Sequence, residues 1–321
     1  MTEQFDVITM GRVGIDLFPQ QIGVGLEDVE TFGKYVGGSP TNVAIAAARH
    51  GRRAAVITRT GDDPFGRFVH KALREHGVDD RFVSAVHGLP TPVTFVEVFP
   101  PDDFPLYIYR LPKAPDLTIR SQDLDLASIR QARVFWATVT GLSMEPSRQA
   151  TLTALAARAR CPWTVLDLDF RTQFWSSPEN ARRWTLKALR HATVAVATRA
   201  ECEMVLGETD PHTAAKALLD LGAELAIVKR GRDGVVAATG QGTVEIGPIP
   251  VPVVNLLGTG DAFGGALVHG LLAGWDLDRT VRFAAAAGAI VATRPTCSAA
   301  MPTESEVTGI LSTRDGGLSQ L

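Results

Sequence analysis

Short apolar runs alternate with longer segments whose apolar residues recur every three or four positions, and the alternation continues over most of the chain. Phe5–Met10, Ala54–Thr58, Val134–Val139, Trp163–Asp169, Thr193–Ala197 and Leu225–Lys229 have the length and content of buried strands. Helical period marks Thr41–His50, the stripe Phe65, Phe68, Val69, Ala72 and Leu73, and then Pro146–Ala159, Pro178–Leu189, Ala200–Leu206, Thr213–Leu221, Ala262–Leu272 and Arg279–Ala292. Strands and helices in this order predict an α/β fold with a mostly parallel central sheet covered by helices on both faces. Two stretches, 11–36 and 90–117, break the alternation and carry Pro and Gly. Within the second, Thr94–Phe99 and Leu106–Arg110 flank Pro100-Pro101-Asp102-Asp103 and predict paired strands, so the two stretches together predict a small β layer inserted twice into the α/β body. Val235–Ile246, with Gly240 and Gly242 at its turn, predicts a hairpin.

Composition narrows the function classes. The chain has 321 residues, and 32 basic against 35 acidic side chains leave a net charge of −3, so no global field favours nucleic acid or an anionic membrane. No apolar run approaches the ~18 residues of a membrane span, and no basic-then-apolar leader opens the sequence. Cys161, Cys202 and Cys297 are isolated and odd in number, which fits a reducing cytoplasm better than a disulfide framework. No CxxC or HExxH spacing announces a structural or catalytic zinc.

The most informative string is Asn255-Leu-Leu-Gly258-Thr259-Gly260-Asp261-Ala-Phe263, which follows an apparent strand at Val251–Val254 and opens an apolar helix. A glycine turn at a helix N-terminus offers unpaired N–H groups and the positive end of the helix dipole to a phosphate in transfer. Those same donors favour an ionised Asp261, which either accepts a proton from an attacking hydroxyl or merely caps the helix. The spacing Gly258-x-Gly260-x-x-x-Gly264 misses the dinucleotide fingerprint by one residue, and Gly61–Gly66 continues into Arg67-Phe68 rather than the Lys-Ser/Thr of a P-loop. A second string, Gly37-Gly38-Ser-Pro-Thr-Asn42, precedes an Ala-rich helix. Its glycines permit close backbone approach and Asn42 offers a donor and an acceptor to sugar hydroxyls, although an ordinary turn reads the same way.

Taken together, Gly37-Gly38-Ser-Pro-Thr-Asn42 with Gly51 and Gly61 downstream, and Gly258-Thr259-Gly260-Asp261, resemble the two signatures of the ribokinase-like (PfkB) carbohydrate kinases, and the resemblance extends from about Phe5 to Thr303. It implies one Rossmann-type kinase sandwich over 1–312 with a small β-sheet lid from about 11–36 and 90–117, often used to form a homodimer, and leaves 313–321 as a polar tail. It implies ATP and Mg²⁺, with Asp261 as general base, the amides of Gly258, Thr259 and Gly260 as an anion hole, and Asp16, Gly37, Gly38 and Asn42 on the sugar. Two positions depart from the family: Asn255-Leu256 stand where Asp-Thr usually serves a monovalent-cation site, and Thr259 stands where Ala is usual.

Further strings, Gly11-Arg12-Val-Gly-Ile-Asp16, Phe32-Gly-Lys34-Tyr35, Tyr109-Arg110 and Asp167-Leu-Asp169-Phe-Arg171, resemble members that phosphorylate the terminal 6-hydroxyl of a deoxy keto-sugar acid. Asp167, Asp169 and Arg171 alternate at i, i+2 and i+4 and so share one face at a strand end, where α/β sheets bind ligands. An acidic acceptor calls for guanidinium groups. Arg171 and Arg110 are the first candidates, with Arg12 and Lys34 behind them. Thr198-Arg-Ala-Glu201 takes the place of the family's Asn-x-x-Glu and would hold Mg²⁺ through waters at Glu201. Lys229, Gly231 and Gly234 fall at the nucleotide-side turn, Asp169 and Ser298 are also assigned to the nucleotide side, and Ala284–Ala292 with Cys297-Ser298 would line adenine. The competing readings are another acid-sugar kinase, a non-catalytic sugar- or nucleotide-binding protein on this fold, and, against the missed fingerprint, a nicotinamide oxidoreductase.

Overall fold

The computed structural model describes residues 4–318, the last six as backbone only. In chain order the elements are β1 (Val7–Met10), β2 (Gly14–Pro19), β3 (Phe32–Gly37), α1 (Ser39–Arg49), β4 (Ala54–Gly61), α2 (Pro64–Glu75), β5 (Val78–Asp79), β6 (Val83–Val86), β7 (Val93–Val96) and β8 (Leu106–Tyr109). They continue with α3 (Leu126–Gln131), β9 (Val134–Thr138), α4 (Ser147–Ala157), β10 (Thr164–Asp167), α5 (Pro178–Leu189), β11 (Val194–Thr198), α6 (Arg199–Leu206), α7 (Pro211–Asp220) and β12 (Leu225–Lys229). The chain closes with β13 (Val235–Thr239), β14 (Gly242–Ile246), α8 (Thr259–Ala273), α9 (Leu277–Ala292) and α10 (Glu304–Leu318). The frayed polar tail expected from Thr313 is instead helical in its backbone to Leu318, the end of α10, and 319–321 lie outside the described residues.

The central sheet runs β14-β13-β12-β11-β10-β9-β1-β4-β5, with β6 also paired to β4. All its pairings are parallel except β12–β13 and β13–β14, the second of which is the expected hairpin. Both faces are dry. Val7, Val134, Trp136, Val165 and Val194 pack under α1, α8 and α9, while Ile8, Phe135, Leu166 and Ala195 pack on the other side with Leu152, Leu155 and Leu189. Buried both ways, such strands lose the alternation of a one-sided sheet and read as continuous apolar runs.

A second sheet of four strands, β3-β2-β7-β8, forms the lid. β2 pairs antiparallel with β3 and parallel with β7, and β7 pairs antiparallel with β8. The register places Asp16 beside Tyr35 and Thr94 on one face, and Leu17 beside Lys34 and Phe95 on the other.

One helix pair packs without the usual side-chain spacing. α8 crosses α1 so closely that a Cβ on Gly265 would lie 2.3 Å from Ala46 Cβ and 2.6 Å from the Ala47 nitrogen. Glycine and alanine remove the side-chain spacer, and the two helix starts are drawn together. The apparent strand at Val251–Val254 is not one. Pro250 and Pro252 lack the N–H a ladder needs, and the segment runs extended, with Val254 and Asn255 both donating to the Ala292 carbonyl at 2.8 and 3.2 Å.

Candidate active site

α8 begins without a side-chain cap, and Gly258 at its N-cap has φ of 86°, a left-handed conformation that favours glycine. The Thr259 amide reaches the Leu256 carbonyl at 3.4 Å and that of Ala262 the Gly258 carbonyl at 2.9 Å, whereas the Gly260 and Asp261 amides have no acceptor among the described residues. They point where an anion would be held. Asn255 folds its own amide group onto the turn, accepting from the Leu257 N–H at 2.9 Å and donating to the Leu257 carbonyl at 3.2 Å. In the first turn of α8, Asp261 Oδ2 accepts from Asn42 Nδ2 at 2.8 Å, across the α1–α8 contact. Burial raises the Asp261 carboxyl above its ordinary value and the nearby Asp169 charge adds to this, opposed by hydrogen bonds from Asn42 and Ser39 and by Arg12. The net direction is opposite to that expected from the helix start alone, because desolvation outweighs the donors.

Around this turn lies a cleft of about 760 Å³, within the usual size of small-molecule sites. Its wall is built by the carboxyl ends of β10, β11 and β12. Asp167, the last residue of β10, is buried, and its Oδ1 has no hydrogen-bond partner. Burial pushes its carboxyl up to about 7, with Lys229 pulling the other way and Glu201, Asp169 and Asp261 adding to the rise. Lys229 Nζ, at the end of β12, stands 3.8 Å from Asp167 Oδ1. Burial works to lower the Lys229 pKa, but Asp167, Glu201, Asp261 and Asp169 outweigh it and the ammonium is held charged. Asp169 lies beyond the strand end and is shared by two guanidiniums, Arg12 Nε at 3.3 Å on Oδ2 and Arg171 Nη2 at 3.4 Å on Oδ1. Glu201 accepts from the Phe170 amide at 2.8 Å and the Thr198 amide at 2.7 Å, while Thr198 Oγ1 accepts the Glu201 N–H at 3.3 Å, a capping box on α6.

Residues 4–304 match the pfkB family of carbohydrate kinases. The chain belongs to the PfkB family. It is an ATP-dependent carbohydrate kinase. Among its relatives, the 5-dehydro-2-deoxygluconokinase of Shouchella clausii (strain KSM-K16) is 35% identical over 314 residues, covering 96% of each chain. That of Geobacillus kaustophilus (strain HTA426) is 34% identical, covering 94% of this chain and 92% of its own. Among solved structures, the fructokinase of Xylella fastidiosa with bound ATP superposes with a TM-score of 0.85 at 26% identity, covering 97% of this chain and 99% of that one.

Within this PfkB kinase the structure gathers Arg12, Asp169, Arg171, Glu201, Lys229, Gly231, Gly258, Thr259, Gly260 and Asp261 around one cleft. Asn42 joins them through Asp261. Gly37 and Gly38 lie at the close approach of lid and body: a Cβ on Gly37 would overlap the Asp16 carboxylate and one on Gly38 the Arg12 carbonyl. Asp16 is on the inner lid face, its Oδ2 3.4 Å from Cys297 Sγ.

Besides Asp16, Gly37 and Gly38, which meet where lid and body approach rather than in the cleft lining, four expected residues are not brought to the cleft. Lys34 is on the lid face opposite Asp16, its Nζ 4.1 Å above the Phe68 ring, because one residue of register separates it from Tyr35. Arg110 is committed to buried Asp116 at 2.7 Å and lies over Phe174 at 4.9 Å. Gly234 serves the hairpin, where a Cβ would meet the Ile246 carbonyl at 2.0 Å. Ser298 is buried outside the cleft lining. The i, i+2, i+4 reading of Asp167, Asp169 and Arg171 assumed a strand that in fact ends at Asp167, yet the loop still brings Arg171 to Asp169. Sequence sets Asp167 on the ligand-binding strand end with Asp169 and Arg171 but gives it no specific role, and it gives Ser39 none. The signal available for Asp167 was a carboxylate closing the buried strand Thr164-Val-Leu-Asp167, a position that costs stability unless it has a use.

Proposed function

We propose that the protein transfers the γ-phosphoryl group of ATP to the 6-hydroxyl of 5-dehydro-2-deoxy-D-gluconate, a sugar-acid step of myo-inositol breakdown in the cytoplasm. The observation that carries the phosphoryl-transfer reading is Asp261: a carboxylate anchored by Asn42 at 2.8 Å, one residue from an amide with no acceptor. Asp261 takes the proton of the acceptor hydroxyl as the oxygen attacks phosphorus. The amides of Gly260 and Asp261 steady the charge spread over the transferring group. A raised carboxyl makes Asp261 a better proton acceptor than an exposed aspartate, as a base poised nearer neutral pH is. The acceptor choice is supported by the names of the relatives and by two guanidiniums, Arg12 and Arg171, at the acceptor end of the cleft, with Asp16 on the inner lid face for a sugar hydroxyl.

Lys229 and Gly231 lie on the nucleotide side. The residues present fit a divalent ion carried by ATP, because Asp167 Oδ1 is buried, takes no hydrogen bond from the described residues and lines the cleft with Lys229 Nζ 3.8 Å away. Asp167 and Glu201 would hold Mg²⁺ through water, and the ion would neutralise phosphate oxygens. The inner lid face excludes water that would otherwise compete with the acceptor. The lid also supports a homodimer. Its outer face carries Phe32, Phe95 and Tyr109 in edge-to-face contact, with Tyr107 and Tyr109 45% and 64% exposed, and a second copy of this chain would cover them.

The deciding experiment incubates the enzyme with ATP and 5-dehydro-2-deoxygluconate and identifies the product by mass spectrometry and NMR. A 6-phosphate is expected. ADP release with 2-dehydro-3-deoxygluconate, and none with the 5-dehydro acid, would reassign the acceptor, and no ADP release with any sugar would overturn the catalytic reading.

A further inference from the structure

The lid has its own small core, and two body residues complete it. Phe18, Val96 and Val98 pack with Tyr35, Phe104 and Leu106 from the lid, against Cys297 and Leu257 from the body. Leu257 immediately precedes Gly258, the residue that starts the anion-binding turn. Cys297 is buried, and it faces three ways. Its Sγ lies 3.4 Å from Asp16 Oδ2 and 3.9 Å from the Val36 carbonyl, both on lid strands. Its Cβ lies where a Cβ on Gly258 would approach to 2.8 Å. Burial and the neighbouring Asp16 charge push the thiol well above its usual pKa, so it is a protonated donor and the carboxylate is the acceptor.

We propose that Cys297 is a positioning residue that ties Asp16 of the lid to the Gly258 turn, so that the acceptor-binding carboxylate and the phosphoryl-binding amides hold a fixed separation only while the lid is seated. The inference rests on the reading of Asp16 as an acceptor ligand. The thiol does no chemistry of its own. It fixes Oδ2 of Asp16, a carboxylate that Thr94 also hydrogen-bonds, and its Cβ fills the space a side chain at position 258 would need. Serine is nearly isosteric and donates more strongly, whereas alanine keeps the fold but removes the donor.

The test uses the full-length enzyme with whichever acceptor supports turnover, compared as wild type, Cys297→Ala and Cys297→Ser. Alanine is expected to raise the acceptor KM about fivefold, the scale of one lost hydrogen bond, with ATP KM and melting temperature unmoved, and serine to restore the acceptor KM. Equal shifts in both KM values, or no shift, would overturn the proposal. A second measurement does not use activity. In a Cys161→Ser background, which removes the exposed thiol, iodoacetamide labelling of Cys297 is followed by peptide mass spectrometry. Asp16→Ala is expected to accelerate it, and a rate unchanged by Asp16→Ala would overturn the tie. If Asp16→Ala accelerates labelling but leaves the acceptor KM unchanged, the tie stands and the assignment of Asp16 to the acceptor fails.

Discussion

Asp261 and its partner Asn42 come from positions 219 residues apart, and their 2.8 Å contact makes the site sensitive to single atoms. Asp261→Asn keeps the size and one acceptor oxygen but removes the basic carboxylate. Turnover is expected to fall by about 10²–10⁴-fold, the usual worth of a positioned base, with ATP binding retained. Coupled ADP release and isothermal titration with ATP read the two quantities, and near-normal turnover would remove Asp261 from its role. At this scale much was legible. Gly258, Gly260, Asp261 and Asn42 stand in compact strings whose function depends on local backbone geometry. Lys34 and Arg110 show the limit: both are cations near the right segments, but one step of strand register and one buried carboxylate, neither visible in a linear string, take them elsewhere.

Helices α1 and α8 carry Asn42 and Asp261 at their starts, and their packing sets that pair's spacing. Gly265→Ala inserts a methyl where Ala46 Cβ and the Ala47 nitrogen already stand within 2.3 and 2.6 Å. The helices must separate, and the expected cost is about 1–3 kcal/mol of stability, the scale of core overpacking, together with a lower kcat from a loosened Asn42–Asp261 contact. Thermal melts and steady-state kinetics measure the two, and a variant with unchanged melting temperature would contradict the close approach.

The far ends of the same helices bear His50 and His269, ringed with Phe283 and Trp275. Among the described residues both buried His50 ring nitrogens have no hydrogen-bond partner, and burial, with His269 and the arginines nearby, lowers its pKa from 6.5 to about 4. The unfolded chain therefore binds the proton first on acidification. Stability from a neutral His50 is fully present above pH 6.5 and is lost as pH falls toward 4, by about 2 kcal/mol at pH 5. His50→Phe is expected to flatten that slope in melts between pH 7 and 5, and an unchanged slope would show that His50 is not the titrating group.

At the scale of the molecule, the lid is both the cover of the cleft and the candidate dimer face. Tyr109→Glu places a charge in the middle of the outer aromatic face and is expected to convert a dimer to a monomer in light scattering coupled to gel filtration. A wild type that is monomeric at micromolar concentration would remove the dimer reading.

The order of strands and helices, the parallel sheet, the lid's two insertions and the position of the glycine turn at the start of α8 are properties of local pattern, since apolar period and glycine placement act within a few residues. Tertiary structure decided the rest: that Asp169 is shared by two arginines, that Asp167 is buried beside Lys229, that Asp261 is raised rather than lowered, and that Cys297 meets Asp16 of the lid. Each depends on desolvation or on contact between segments far apart in sequence, and both quantities exist only after the chain has closed on itself.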